Sequence, residues 1–213
     1  MNKEALLGYW RDRISERTFA AFTSVPREEF LLAEFKMRAY EDTPLPILRN
    51  KTISQPSTVL MMTDALDVHE GQKILEIGTG SGYQSAMLAM LVGEKGKIVS
   101  VEVIPELVTF ARENLRRIGV ANTTVVEHDG RQGYGEHAPY DRIIFTAASP
   151  QLPLHLLDQL KPDGIMVVPV GDLNAQNMMK LVKLKDRVEQ QNLGEFLFSP
   201  LVGKYGFDED KVM

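Results

Sequence analysis

Residues 74–89 read ILEIGTGSGYQSAMLA, and within them EIGTGSGY places glycines at 78, 80 and 82. A glycine at every second position directly after an apolar run means that the backbone turns sharply and passes close to something. KILEI (73–77) is strand-like, and YQSAMLAMLV (83–92) is long and apolar enough for a helix. The glycines therefore sit on a strand-to-helix turn.

Downstream the same alternation repeats. KIVSVE (97–102) reads as a strand, PELVTFARENLRRI (105–118) as a helix stopped by Gly119, and TTVVE (123–127) and RIIFT (142–146) as strands. LPLHLLDQL (152–160) reads as a helix, PDG (162–164) as a turn, and IMVVPV (165–170) as a strand. MMKLVKLK (178–185) and LGEFLFS (193–199) follow as two strands with no helix between them, the pattern of a hairpin at a sheet edge. Alternating units of this length predict a doubly wound, mostly parallel α/β sheet of Rossmann-like type, ending in an antiparallel edge hairpin.

Upstream the pattern differs. Leu6, Leu7, Trp10, Ile14 and Phe22 lie close to a helical stripe over 3–23, which VPREEF (25–30) breaks at Pro26 before a second, short helix. Residues 41–56, with Pro44, Pro46 and Pro56, read as an extended loop. STVLMMTDALDV (57–68) reads as a helix capped by Ser57 or Ser54. We expect one domain, with 1–68 a helical extension carrying a substrate loop and 69–213 the cofactor-binding core.

Composition narrows the class. Of 213 residues 44% are hydrophobic and 25% charged, ordinary for a globular chain with a sizeable core. A net charge of −5 argues against nucleic acid, whose binders carry a basic face. There is no cysteine, which rules out disulfides and thiolate metal sites. No apolar leader or membrane-length stretch occurs, so the expectation is a cytoplasmic monomer with no membrane association. His69, His128, His137 and His155 lack metal-ligand spacing and read as surface or packing residues, so no metal is expected. The methionine pairs 61–62 and 178–179 read as core filler, and the tail FDEDKVM as a frayed end.

Three ligand types compete for the glycine turn. A P-loop needs a lysine after its glycines, and none follows here. The dinucleotide fingerprint G-x-G-x-x-G fails because Tyr83 stands where its third glycine belongs. Glu76, two residues before Gly78, disfavours a pyrophosphate and suits a cationic group. G-x-G-x-G after an acidic strand end resembles the S-adenosylmethionine site of Rossmann-like methyltransferases. Glu102 then stands at the end of the second strand, where ribose hydroxyls would sit, and Asp129 after the third, where adenine would. Glu76, Gly78, Gly80, Ser81, Gly82, Glu102, Asp129 and Gly130 are the expected cofactor-binding set, with S-adenosylhomocysteine as product.

The acceptor must be read elsewhere. Strand four runs into TAASP (146–150), without the N-P-P-[FY] box common in methyltransferases of base amines. No general base is evident either. A carboxylate acceptor needs none, because it is already ionised at neutral pH and requires only alignment.

AYEDTPLPI (39–47), KTISQPSTVLMMT (51–63), the glycine stretch, DGRQGYGEHAPYDRIIFTAASPQLP (129–153), LLDQLKPDGIMVVPVG (156–171) and FSPLVGKYG (198–206) resemble the protein-L-isoaspartate O-methyltransferase family. The resemblance implies methyl transfer from S-adenosylmethionine to the free α-carboxylate of isoaspartyl residues in damaged peptides and proteins, starting repair through a succinimide. It implies an active-site role for Ser54 of T-I-S-Q-P, with Thr52, Ile53 and Gln55 on the same loop. The sequence departs from the family pattern at Asn50 and Lys51, where glycine and glutamine are usual, at His128 for a glycine, and at Val202 for a hydroxyl residue. Arg49 and Lys51, beside Ser54, could attract an anionic acceptor. Two alternatives stay open: a methyltransferase of the same fold on a small carboxylic acid or RNA, and a cofactor-binding module without catalysis.

Overall fold

The computed structural model describes residues 3–201 and 206–207. Val202 and residues 208–213 of the tail, both singled out above, lie outside the described residues.

Two helices open the chain, α1 (Lys3–Trp10) and α2 (Glu16–Ser24). The stripe over 3–23 is thus broken, because Ser15 caps α2 by accepting the Thr18 N–H at 3.3 Å. VPREEF then forms a 3-10 turn (Arg27–Phe30) beyond Pro26. In the loop, Leu45–Pro46 (β1) pairs antiparallel with Thr52–Ile53 (β2), giving a small hairpin rather than a free extended segment. Helix α3 (Pro56–Leu66) follows with Gln55 at its cap position and no side-chain cap. Neither Ser54 nor Ser57 caps it: Ser57 instead donates to Asp42 Oδ2 at 2.7 Å and accepts from Trp10 Nε1 at 3.0 Å. Pro56 at the first turn needs no capped N–H, which removes part of the demand for a hydroxyl cap.

The core alternates as expected: β3 (Lys73–Ile77), α4 (Tyr83–Val92), β4 (Lys97–Glu102), α5 (Pro105–Arg117), β5 (Thr123–Glu127) and β6 (Tyr140–Phe145). Residues 152–160 do not form an α-helix but a 3-10 stretch, Leu154–Gln159. The long strand β7 (Leu160–Gly171) begins immediately after, leaving no room for further turns. Strands β8 (Gln176–Lys183) and β9 (Val188–Phe196) complete a seven-stranded sheet in the order β5-β4-β3-β6-β7-β8-β9. Strands β3 to β7 pair in parallel, whereas β7–β8 and β8–β9 are antiparallel.

Helix α4 is buried along nearly its whole length because the sheet lies on one side and α2 and α3 on the other. The N-terminal helices therefore close one face of the sheet and share its core. Met62 and Met178 are fully packed in that interior. Since β4 and β5 lie to one side of β3 and β6 to the other, the chain changes direction at β3. A crevice opens there at the strands' carboxyl ends. No helix among the described residues is long and apolar enough to cross a membrane.

Candidate active site at the carboxyl end of the sheet

The glycine turn runs along the floor of this crevice. Gly78, Gly80 and Gly82 have φ of 98°, 55° and 85°, in the region that side chains disfavour. Gly78 also has no room for a Cβ, which would lie 2.6 Å from Thr146 Oγ1. Its N–H donates to Val101 O at 2.9 Å, locking the turn against β4.

A cavity of about 270 Å³ lies above this turn, lined by the TIS loop, the turn itself, the end of β4, residues 128–130 and Ser199–Leu201. Of the eight expected cofactor residues, Glu76, Gly78, Gly80, Ser81, Glu102, Asp129 and Gly130 border it, and Gly82 does not. Gly82 itself stands just behind, capping α4. A Cβ on Gly130 would lie 2.7 Å from both Ile77 Cγ2 and Val101 Cγ2, so only glycine lets the chain cross the strand ends here.

Glu76 is completely buried. Ser100 Oγ donates to its Oε2 at 2.7 Å, and Ser85 Oγ donates to the same oxygen. The other oxygen, Oε1, has no hydrogen-bond partner. Burial pushes the carboxyl up to about 7 despite the two serines, and neighbouring Glu102 adds to the rise. Glu102, 8% exposed, accepts from Gly80 N at 3.0 Å and from Val103 N and Ile104 N at 2.9 and 3.1 Å.

Asp129 reaches the cavity but is already engaged. Its Oδ1 accepts Arg131 Nε at 2.5 Å, and its Oδ2 accepts Arg131 Nη2. That hydrogen-bonded guanidinium holds the carboxyl below the usual range. Any adenine contact at Asp129 therefore has to share or displace Arg131. His128 also lines the cavity, edge-on to Tyr134 with ring centroids 5.0 Å apart. His69 pairs with Asp67, His137 stacks on Tyr134, and His155 bonds Arg131 O, so the other three histidines serve packing and surface contacts. Among the described residues no group of three or more His, Asp or Glu is placed to hold a metal.

Thr52, Ile53 and Ser54 line the same cavity from the opposite wall. A second cavity of about 340 Å³ adjoins it, between Pro44, Thr52, Ser54, Gln55 and Thr58 on one side and Glu195–Ser199 on the other. Thr52, Ser54, Thr146 and Ser199 border both, so Ser54 stands at their junction. Of the two cations beside it, Arg49 turns away to pair with Glu106 at 2.7 Å, whereas Lys51 lines the first cavity. Residues 195–199 carry no motif that points to Ser54; the end of β9 and the segment after it reach this cavity through the fold.

A family model described as Protein-L-isoaspartate(D-aspartate) O-methyltransferase (PCMT) matches residues 1–206. The chain belongs to that family. It is 47% identical to the protein-L-isoaspartate O-methyltransferase of Methanothrix thermoacetophila over 98% of this chain and 99% of that one. The counterpart from Hyperthermus butylicus is 48% identical over 95% of this chain and 86% of its own. A solved protein-L-isoaspartate O-methyltransferase superposes with a TM-score of 0.86 at 31% identity, over 96% of this chain and 67% of that one. A Plasmodium falciparum protein crystallised with S-adenosyl-L-homocysteine shares the fold, with a TM-score of 0.81 at 22% identity, over 95% of this chain and 99% of its own.

Proposed function

We propose that this chain is an S-adenosylmethionine-dependent protein-L-isoaspartate O-methyltransferase, methylating the free α-carboxylate of isoaspartyl residues in peptides and proteins. The observation that carries the reading is the junction at Ser54, where a carboxylate-lined cavity meets a second one. Residues 69–213 then supply the cofactor core and 1–68 the acceptor loop.

The residues of the first cavity fit the cofactor by their chemistry. Glu76 offers a buried oxygen without a partner, suited to an ammonium group. The first N–H groups of α4, left unpaired by helix geometry, suit a carboxylate. Glu102 retains acceptor capacity for ribose hydroxyls, because a carboxylate can accept about four hydrogen bonds. Asp129 stands on the adenine side beside Gly130. Glu76 and Glu102, which form no ion pair among the described residues, make this part of the cavity favourable to a cationic group. Bound there, S-adenosylmethionine supplies an electrophilic methyl group on a sulfonium.

The protein's part is then alignment. The acceptor carboxylate arrives ionised, so no residue has to take a proton. The Ser54 hydroxyl can donate to one carboxylate oxygen and leave the other in line, while Thr52 and Gln55 border the flanking backbone. Lys51 offsets the carboxylate-rich wall for an approaching anion. Ile53, buried in the core and bordering the cavity, anchors the loop. After release the backbone amide nitrogen of the next residue attacks the ester carbonyl, losing its proton and expelling methanol to form a succinimide, and hydrolysis of that ring by water yields some normal aspartate.

Incubation of an isoaspartyl peptide with the protein and cofactor tests this. The expected result is a base-labile methyl ester followed by appearance of the aspartyl form. An ester found only on small carboxylic acids would contradict it.

A further inference from the structure

The acceptor loop is held from behind by a charge that takes no part in the chemistry above. Arg27 is fully buried, 0% exposed, in the turn of VPREEF. Its Nε donates to Ala39 O and its Nη2 to Ser54 O, both at 2.7 Å. Its Cζ lies 5.0 Å from the ring centroid of Tyr83, the first residue of α4 and part of the cofactor cavity wall. Nη1 and the Tyr83 hydroxyl are both buried and interact with each other electrostatically, without a well-aligned hydrogen bond.

No acid among the described residues forms an ion pair with Arg27. A buried cation held by carbonyls and an aromatic face, with Asp42 acting on it only through space, is costly, and burial lowers its pKa accordingly. Packing alone does not require it, because an apolar side chain of similar length would fill the volume without desolvating a charge. The planar fork does something an apolar chain cannot. It fixes two carbonyls at set angles, one on each side of the Pro-rich loop, while resting on the residue that starts the cofactor helix.

We infer that Arg27 is a positioning residue for the transfer reaction: by clamping the Ser54 and Ala39 carbonyls and bearing on Tyr83, it sets Ser54 against the cofactor cavity. The inference rests on the proposed function for its kinetic consequence, but its structural consequence can be read without activity. A displacement of Ser54 by about 1 Å is enough to cost on the order of 100-fold in turnover.

The test compares Arg27→Met with Arg27→Lys, which keeps the charge and can reach one carbonyl. Amide hydrogen exchange is followed over residues 48–55 and over β3–β6, with calorimetry of S-adenosylhomocysteine binding and turnover on an isoaspartyl peptide. We expect Arg27→Met to exchange faster in 48–55 but not in the strands. Turnover should fall by about 10- to 100-fold, the S-adenosylhomocysteine affinity should stay within about threefold, and Arg27→Lys should recover part of the loss. If both variants protect 48–55 as the wild type does, or if exchange rises equally throughout the sheet, Arg27 is not a positioning residue. Altered exchange confined to 48–55 with no isoaspartyl activity even in the wild type upholds the clamp and overturns the proposed function instead.

Discussion

Gly80 donates its backbone N–H to Glu102 Oε2 at 3.0 Å, so the apex of the glycine turn hangs from the end of the neighbouring strand. Glu102 thereby shapes the turn and, with the one acceptor site left on Oε2, faces the cavity. A hydrogen bond to a charged group contributes about 1.5–3 kcal/mol, which corresponds to about 10- to 150-fold in affinity. Glu102→Ala should weaken S-adenosylmethionine binding by that factor in calorimetry, and Glu102→Gln, which keeps one acceptor, by less. Unchanged affinity in a folded Glu102→Ala protein would remove this residue from the site.

Ser54 is not the cap of α3, so its hydroxyl is free of that structural duty. Ser54→Ala should lower turnover on an isoaspartyl peptide by about 10- to 150-fold, from one charge-assisted hydrogen bond. Melting temperature and cofactor affinity should hardly move. A variant with wild-type turnover and a clearly lower melting temperature would show that the hydroxyl is structural after all.

Glu76 links folding, cofactor and pH. Its carboxyl is raised from 4.5 to about 7, so between those values the folded state binds a proton that the unfolded chain has lost. Stability from this group is therefore fully present below about pH 4.5 and is lost as pH rises through about 7. The rise from 4.5 to about 7 amounts to on the order of 3 kcal/mol. Glu76→Gln should flatten the stability profile over this window and melt no lower than wild type at pH 8, while binding cofactor more weakly. Titration calorimetry in buffers of different ionisation enthalpy should find proton release on cofactor binding near neutral pH in the wild type and none in Glu76→Gln. Identical proton counts in both proteins would exclude Glu76 as the group facing the ligand's cation.

Gly130 passes over the ends of β3 and β4 with no space for a methyl group. Gly130→Ala must push Ile77 or Val101 aside, a strain of about 1–3 kcal/mol. Chemical denaturation should show that loss, and cofactor affinity should fall with it because Asp129 moves too. Wild-type stability would mean that the strand ends yield more easily than their packing implies.

The cofactor half of the site was legible because its chemistry depends on backbone turns. Gly78, Gly80 and Gly82 announce themselves by type, and the strand ends at Glu102 and Glu127 coincide with where the apolar runs stop. The acceptor half was legible only through the T-I-S-Q-P resemblance, since its geometry comes from long-range packing. Edge strand β9 starts five residues earlier than expected because, after half-buried Val188, EQQN is exposed throughout and shows no alternation. The 3-10 stretch at Leu154–Gln159 carries an apolar pattern that suits a helix, but its length is set by Pro153 before it and β7 after it. Arg49 and Arg131 could not be assigned from sequence, since Glu106 and Asp129 decide where they point. Arg27 left only a lone cation beside a proline, between apolar Val25 and Phe30.

In the proposed function the loop places only the isoaspartyl α-carboxylate in line for transfer. An isoaspartyl linkage carries the backbone through the side-chain carbonyl, leaving that carboxylate on a short branch, whereas normal aspartate holds its own one methylene further out. Steady-state methylation of two peptides differing only in this linkage measures the discrimination directly. We predict at least about 100-fold preference for the isoaspartyl peptide, seen mainly in kcat, from misplacement of about 1 Å. Equal rates on the two peptides would contradict the account.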